Sequence, residues 1–251
     1  MSNPKGKKVL VFDLDGTLTE SKLPVDAEMA ALLTNTLTHT TVAVISGGGL
    51  PQFEKQVLPF LALTNEQQKN LFLLPTSGAA LFAYEDGALK KIYEEKLTSE
   101  EIAHIENTLE KTIDDLKLRP EQTYGALIEN RGSQVTYSAL GQEARLEKKA
   151  VWDPDQEKRK QIVAALAPSL PNFHIGIGGT TSIDITKKGI DKAYGIKKLS
   201  EYLHIPITEM AFIGDALFPG GNDEAARASG IKCISVKDVS ETKELLKNLS
   251  E

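Results

Sequence analysis

Short apolar runs alternate with helix-forming stretches at both ends of this chain. Runs of this kind occupy residues 9–12, 41–45, 71–74 and 210–213. An apolar run of this length, bounded by glycine or polar turns, is typical of a strand buried on both faces. Stretches rich in helix formers, such as residues 26–33, lie between the runs. The repeated order of strand, helix and strand predicts an α/β fold with a mainly parallel sheet.

The middle of the chain follows a different pattern after about residue 89. A charged amphipathic helix is expected to begin within residues 98–101, with Ser99 as its N-cap and apolar residues at helical spacing as far as Leu116. The remaining pattern predicts a second charged helix at residues 154–166 and hairpin strands at residues 126–129, 134–140, 173–177 and 182–185. We therefore predict a Rossmann-like core of residues 1–88 and 187–251, with an α+β cap domain inserted at residues 89–186.

Composition narrows the function classes. The net charge of −6 argues against a nucleic-acid or anionic-membrane partner. Cys233 is the single cysteine, so an internal disulfide is impossible and a reducing, cytoplasmic location is expected. The first apolar run stops at Asp13, too early for a signal-peptide core, and no stretch reaches the ~20 apolar residues of a membrane span. The four histidines are scattered without zinc-like spacing.

Two acids follow the first apolar run directly. Asp13 and Asp15 are separated by Leu14, and alternation along a strand would place both carboxylates on the same side. Their mutual repulsion is relieved by a hard divalent cation such as Mg²⁺, which commonly bridges carboxylates and substrate phosphate. The alternative is a solvated turn in which Asp13 caps the next helix. That alternative does not explain why both acids follow a core strand.

Further acids follow the apolar run that ends at Ile213. Asp215 comes after Gly214, and Asp223 closes the loop behind it. Because ligands of open α/β sheets bind at the carboxyl ends of the strands, these acids and the first pair would complete an all-oxygen site suited to Mg²⁺. Asp223 by itself is equally well explained as the cap of a following helix.

Ser46 and three glycines follow the second predicted strand. A hydroxyl group and backbone N–H groups in such a loop can hold phosphate oxygens. Taken alone, this segment is better explained as a flexible glycine turn.

Residues 13–19, Asp-Leu-Asp-Gly-Thr-Leu-Thr, resemble the first motif of the haloacid dehalogenase superfamily. The resemblance implies that Asp13 attacks phosphorus and becomes an aspartyl-phosphate. It also implies that Asp15 is the general acid/base and binds Mg²⁺ through its backbone carbonyl. Ser46 and Gly47 resemble the second motif, which binds the transferring phosphoryl group.

The third and fourth motifs of the superfamily have counterparts near the end of the chain. Residues 188–192 are similar to the segment whose last residue is the catalytic lysine, which implies this role for Lys192; on sequence alone Lys188 could compete. Residues 214–223 closely resemble the fourth motif of the eukaryotic-type phosphomannomutases, which implies that Asp215 and Asp223 belong to the metal site.

The resemblance extends thinly into the predicted cap. It implies that Arg131, Ser182 and Asp184 bind the distal end of a sugar phosphate, with Lys149 at a position where the phosphomannomutases have another arginine. Gln142 departs from the pattern, because those enzymes have an arginine there. Fewer cationic side chains are therefore expected to bind a second phosphate.

These features predict a Mg²⁺-dependent enzyme that transfers phosphoryl groups through an aspartyl-phosphate, most simply a hexose-phosphate phosphatase. The alternatives are a phosphomannomutase that interconverts hexose 1- and 6-phosphates and, from another class, a non-catalytic sugar-phosphate binder. The expected partner is a small phosphorylated substrate, without nucleic acid or membrane. The chain is expected to act as a monomer or homodimer.

Overall fold

Residues 4–249, which the computed structural model describes, form two units with separate sheets. The core unit comprises the chain up to Glu94 and from Asp191 onward, and the insert unit comprises Glu95–Ile190. The first border lies after Glu94 rather than after residue 88, because the strand that ends at Glu94 pairs with the strand before it. Within the described part of the chain, no helix is both long and apolar enough to span a membrane.

The strands and α-helices follow one another along the chain in a fixed order. They are β1 (Val9–Asp13), α1 (Ala27–Thr36), β2 (Thr41–Ile45), α2 (Leu50–Gln56), α3 (Asn65–Gln68), β3 (Leu71–Leu74), β4 (Ala80–Glu85), β5 (Ala88–Glu94), α4 (Ser99–Asp115), β6 (Ile128–Asn130), β7 (Gln134–Ser138), α5 (Leu146–Trp152), α6 (Glu157–Leu166), β8 (Phe173–Gly178), β9 (Ser182–Lys187), α7 (Lys192–Leu203), β10 (Met210–Gly214), β11 (Lys232–Ser235) and α8 (Val239–Leu249). Short 3₁₀ helices lie at Leu58–Phe60, Thr76–Gly78, Ile207–Glu209 and Glu224–Ser229.

The core unit is built on a seven-stranded sheet in the order β11-β10-β1-β2-β3-β4-β5. The strands from β11 to β3 are parallel, and β4 and β5 add an antiparallel hairpin. Both faces are buried: α1, α2 and α8 pack on one, and α7 and the 3₁₀ helix at Glu224–Ser229 on the other. The observed sheet confirms the predicted α/β class with a mainly parallel sheet. The sequence pattern could predict it because strands covered on both faces need continuous apolar runs.

The insert unit has a four-stranded antiparallel sheet in the order β6-β7-β9-β8. One face packs on α4 and α6 through Ile105, Leu109, Tyr137, Ile162 and Ile183. The opposite face carries polar residues, since side chains alternate along each strand. Three cross-strand pairs supply them, Gln134 with Thr186, Thr136 with Asp184 and Ser138 with Ser182.

Several predicted elements differ from the observed ones. Helix α4 is capped by Thr98 rather than Ser99, because Glu101 at the third helical position closes a capping box with Thr98. The sequence of residues 76–82 suggests a strand or hairpin, but residues 76–78 form a 3₁₀ turn and the strand begins only at Ala80. The predicted helix at residues 154–166 starts only at Glu157, and helix α5 was not predicted.

Candidate active site

Three carboxylates of the core unit converge in space. Oxygen atoms of Asp13, Asp215 and Asp223 all lie within 4.8 Å of one another, a grouping that could hold a metal ion. Asp13 and Asp223 are buried, with exposed fractions of 2% and 0%. The cluster unites residues from opposite ends of the chain, as the sequence predicted from the two strand ends.

The sheet register explains this convergence. Asp13 is the last residue of β1, next to Ile45 of β2, while Phe12 pairs with Ile213 of β10 on the other side. Gly214 therefore ends β10 level with Asp13, and Asp215 follows immediately. Since all three strands are parallel, their carboxyl ends meet at one edge of the sheet, where open α/β sheets bind their ligands.

Lys192 supplies the positive charge of the cluster. It is the first residue of α7, whose N-cap Asp191 accepts a hydrogen bond from Tyr194 N at 3.0 Å. Its Nζ donates to Asp13 Oδ1 at 2.6 Å and also to Asp223 Oδ1. Lys188, the competing candidate, is exposed in the insert unit. The structure thus places Lys192, and not Lys188, beside the acids.

Two glycines leave room for the carboxylates. At Gly16, a Cβ atom would lie 2.6 Å from Asp215 Oδ2, and its φ of +91° also disfavours other residues. At Gly214, a Cβ atom would lie 2.3 Å from Asp223 Oδ2. The hydroxyl of Thr17 completes this support, since it donates to Asp215 Oδ1 and accepts from Asp215 N, both at 3.1 Å.

The cluster carries more negative than positive charge. Burial raises the pKa of Asp13 well above its ordinary value, and the neighbouring Asp223 and Asp215 add to this despite Lys192. Burial and Asp223 also raise the pKa of Asp215. Burial alone would lower the pKa of Lys192, but Asp13 and Asp223 outweigh it and raise that pKa. These directions describe acids that lack a sufficient counter-charge.

Ser46 directly follows the residue that pairs with Asp13. Its side chain is buried, and its Oγ accepts a hydrogen bond from Gly48 N at 3.1 Å. The loop of Ser46–Gly49, which includes Gly47, is held by a turn in which Thr76 N donates to Gly48 O and Ser77 N donates to Ser46 O. Thr76 and Ser77 have φ values of +51° and +57°, a strained conformation of the kind found at functional sites.

Asp15 lies apart from the three clustered carboxylates. Its Oδ1 accepts from Lys22 N at 2.7 Å, and its Oδ2 accepts from Lys22 Nζ at 3.0 Å and from Gln52 Nε2 at 2.8 Å. Burial opposes ionisation, but Lys22 outweighs it and lowers the pKa of Asp15. Strand β1 ends at Asp13 and the chain bends at Leu14, so the alternation argument does not extend to Asp15. Its metal contact through the backbone carbonyl stays a prediction.

The predicted substrate-binding residues of the insert unit occupy several elements. Ser182 and Asp184 lie on the polar face of β9, where they contact Ser138 Oγ at 3.2 Å and Thr136 Oγ1 at 2.8 Å. Arg131, in the turn between β6 and β7, donates from Nε and Nη2 to Glu129 Oε2 at 2.9 and 2.6 Å.

Lys149 and Gln142 contact each other in the insert unit. Lys149 lies on α5, is 7% exposed and donates from Nζ to Gln142 O at 2.9 Å. The side-chain amide of Gln142 donates to Ser138 Oγ at 2.8 Å.

Sequence reasoning missed Lys22 and Gln52 as neighbours of Asp15. Both are ordinary polar residues in a loop and a short helix, so no motif marks them. Thr17 lies within the motif of residues 13–19, but its two hydrogen bonds to Asp215 depend on the folded chain.

Comparison with known proteins gives a consistent assignment. The sequence model of the haloacid dehalogenase-like hydrolases matches residues 10–223. Among curated proteins, the chain is similar to phosphomannomutase of Spinacia oleracea, with 28% identity over 88% of this chain and 86% of the relative. It is also similar to phosphomannomutase 2 of Dictyostelium discoideum, with 27% identity over 86% of this chain and 84% of the relative.

Solved structures share the fold. An IMP-bound IMP-nucleotidase of Plasmodium falciparum superposes with a TM-score of 0.71 at 17% identity, over 97% of this chain and 68% of that one. A trehalose-6-phosphate phosphatase related protein superposes with a TM-score of 0.57 at 16% identity, over 96% of both chains.

Proposed function

Since the chain belongs to the haloacid dehalogenase-like hydrolase family, we propose that it is a Mg²⁺-dependent sugar-phosphate phosphatase in which Asp13 is the nucleophile. Its relatives support an enzyme of the phosphatase or mutase type. The observation that carries the finer proposal is the convergence of Asp13, Asp215 and Asp223 around a single buried lysine. We also propose a reducing cytoplasmic compartment, because a chain with one cysteine gains nothing from an oxidising one.

The residues present fit a divalent cation. Three carboxylates face one ammonium group, and the buried Oδ2 of Asp13 has no hydrogen-bond partner among the described residues. Carboxylate oxygens are the ligands that Mg²⁺ prefers. Asp13, Asp215 and Asp223 would hold the ion together with the backbone carbonyl of Asp15. When bound, Mg²⁺ would supply positive charge that offsets the repulsion between the Asp13 carboxylate and the substrate phosphate.

The chemistry then divides into two balanced steps. A carboxylate oxygen of Asp13 bonds to phosphorus while the bond to the leaving oxygen breaks, and Asp15 gives a proton to that oxygen. Because Lys22 favours the ionised form of Asp15 in the free protein, Asp15 takes up this proton before the step. In the second step a water molecule gives a proton to Asp15. The oxygen of this water molecule bonds to phosphorus, and the bond between phosphorus and Asp13 breaks to release inorganic phosphate.

Ser46 and Lys192 have supporting roles in both steps. A donor hydroxyl and an ammonium group at the site stabilise the negative charge that spreads over the phosphoryl oxygens. Lys192 also keeps Asp13 oriented through its 2.6 Å hydrogen bond. Gly47, in the same loop as Ser46, offers its backbone to the phosphoryl group.

The cations of the insert unit favour a phosphatase over a mutase. A mutase must grip the phosphate that is not transferred, and arginine does this best through two parallel hydrogen bonds. In this chain Arg131 bonds twice to Glu129, and Lys149 bonds to the backbone of Gln142. We propose that Arg131, Lys149, Ser182 and Asp184 recognise sugar hydroxyl groups instead of a second phosphate.

A phosphomannomutase is the second candidate, since the curated relatives carry that name. A non-catalytic sugar-phosphate binder is the third. It has less support, because a binder has no need of the acidic cluster that this chain retains.

A panel of hexose 1- and 6-phosphates, each with and without a hexose 1,6-bisphosphate, separates the three candidates. We expect release of inorganic phosphate that requires Mg²⁺ and does not require the bisphosphate. Isomerised sugar phosphate would identify a mutase instead. Binding without turnover, either of the panel or of p-nitrophenyl phosphate, would identify the non-catalytic binder.

A further inference from the structure

Lys22 and Gln52 form a closed hydrogen-bonded arrangement of three members with Asp15. Lys22 approaches both carboxylate oxygens, with its backbone N on Oδ1 and its Nζ on Oδ2. Gln52 donates from Nε2 to Oδ2, and its Oε1 accepts from Lys22 Nζ at 2.9 Å. The Gln52 amide thus contacts both other members, which fixes the plane of the Asp15 carboxyl group.

Helix α2 and the glycine loop before it place Gln52 over Asp15. Gln52 is the third residue of α2, and its side chain lies across Gly48. A Cβ atom at position 48 would be only 1.8 Å from Gln52 Oε1. The lack of a side chain at Gly48 is therefore a steric condition for this position of Gln52.

The arrangement leaves room for proton exchange. A carboxylate offers about four lone-pair positions. Lys22 Nζ and Gln52 Nε2 occupy those of Oδ2, whereas among the described residues only Lys22 N donates to Oδ1. One position on Oδ1 stays open to a leaving group or a water molecule.

We propose that Gln52 is a positioning residue for Asp15, holding its carboxyl group so that Oδ1 is presented for proton transfer. This inference rests on the proposed function, in which Asp15 protonates the leaving oxygen. It assigns Gln52 no contact with substrate. The effect of Gln52 should therefore depend on how much the leaving group needs a proton.

A neighbouring glutamine provides a matched control. Gln56, one helical turn further along α2, donates from Nε2 to Leu23 O at 2.9 Å and is 3% exposed. It ties the same helix to the same loop that carries Lys22, but its amide donates to that loop's backbone and not to Asp15. A purely structural role in holding this loop would therefore be shared by Gln52 and Gln56.

The test compares Gln52→Met with Gln56→Met on two substrates. One is the best hexose phosphate of the panel, whose alkoxide must be protonated, and the other is p-nitrophenyl phosphate, whose phenolate leaves unaided. The quantity measured is kcat/KM, which covers the steps up to release of the leaving group and excludes the later attack by water. Because a well-placed general acid contributes about 10²–10⁴-fold, we expect Gln52→Met to lose about tenfold on the hexose phosphate and less than about twofold on the aryl phosphate.

Equal losses on both substrates, no loss on the hexose phosphate, or the same substrate dependence in Gln56→Met would each overturn the proposal. Thermal unfolding of both variants checks that they fold, and the aryl phosphate rate reports an intact nucleophile. If the wild-type protein hydrolyses neither substrate, the proposed function itself has failed. This outcome is distinct from an active wild-type enzyme whose kcat/KM is unchanged by Gln52→Met.

Discussion

The two units bury charged side chains in opposite ways. In the insert unit, Asp153 and Arg159 are each 2% exposed and form a pair at 2.8 Å. In the core unit, Asp13 and Asp223 are equally buried around Lys192, with Asp215 beside them. The insert pair is electrically neutral, whereas three ionised carboxylates and one ammonium would leave two negative charges uncompensated.

The Asp153 pair is also saturated with hydrogen bonds. Asp153 accepts from the backbone N of Lys158 and Arg159 as well as from Arg159 Nε. Arg159 Nη1 donates onward to Gly178 O and Gly179 O at 3.1 and 2.7 Å. Burial would raise the pKa of Asp153, but these hydrogen bonds from Arg159 and the backbone outweigh it and lower the pKa.

The difference separates a structural ion pair from a candidate active site. A buried pair persists in a fold when its partners satisfy each other. The Asp13 cluster instead leaves Asp13 Oδ2 without a partner among the described residues and raises the pKa of two acids. Perturbed acids that lack compensation in the protein mark a candidate functional site. Burial is common to both regions, so the charge balance is the informative feature.

The largest expected effect comes from Asp13→Asn. The variant should lose at least about 10⁴-fold in kcat for hexose-phosphate hydrolysis, because the amide cannot form the aspartyl-phosphate. Steady-state phosphate release, measured at saturating Mg²⁺, checks this. Activity within about tenfold of the wild type would remove Asp13 from its proposed role.

The same variant should fold normally, which sharpens the comparison. Replacing one of three crowded carboxylates with a neutral amide relieves repulsion, and Lys192 keeps Asp223 as a partner. In EDTA, we expect the free energy of unfolding to stay within about 1 kcal/mol of the wild-type value or to rise.

Asp153→Asn should show the reverse pattern. Removing one partner of a buried pair leaves Arg159 uncompensated and costs about 3–5 kcal/mol. Trp152, the only tryptophan of the chain, adjoins Asp153, so denaturant unfolding followed by its fluorescence reports on the insert unit.

Asp155→Asn is the matched control for that measurement. Asp155 is exposed in the same segment, and its substitution should change the free energy by less than about 0.5 kcal/mol. Equal stability of the Asp153 and Asp155 variants would show that the buried pair does not stabilise the insert unit.

The third expected effect is stabilisation of the core unit by Mg²⁺. A ligand that binds only the folded state at about 100 times its Kd adds about 2.7 kcal/mol. Thermal unfolding of the wild-type protein with Mg²⁺ and with EDTA should show this gain, and Asp215→Asn should lose most of it. An unchanged melting temperature in the wild type would contradict a metal site at the acidic cluster.

The sequence was most informative where one strand decides the position of a residue. Apolar runs end at Asp13 and just before Asp215, and parallel strands necessarily bring their carboxyl ends together. The grouping of these acids therefore followed from the pattern. The environment of Asp15 did not, since it depends on how the loop of Lys22 folds against α2.

The insert unit was less predictable for a similar reason. Helix α5 has exposed apolar residues, Leu146 and Val151, so its pattern lacks a buried stripe. Arg159 belongs to a run that contains Lys158 and Lys160 and looks like a solvated helix face. Only the packing of α6 shows that this one cation is buried.

The smallest expected effect is a pH dependence of opposite sign in the two regions. Asp153 has a lowered pKa in the folded protein. Its stabilisation is therefore fully present above its unfolded pKa of about 3.9 and is lost as the pH falls through the folded pKa.

Asp13 behaves in the opposite way, because its pKa is raised in the folded protein. The metal-free folded state therefore binds a proton at Asp13 more readily than the unfolded state does. The contribution of Asp13 to stability then decreases as the pH rises through its folded pKa. In EDTA, the stability difference between the wild type and Asp13→Asn should therefore shift in favour of the wild type as the pH is lowered from about 8 towards about 5. Over the same pH range, the ionisation of Asp153 should not change the unfolding transition that Trp152 fluorescence reports. A wild-type advantage that grows with rising pH would mean that the carboxylate of Asp13 is compensated within the protein, as that of Asp153 is.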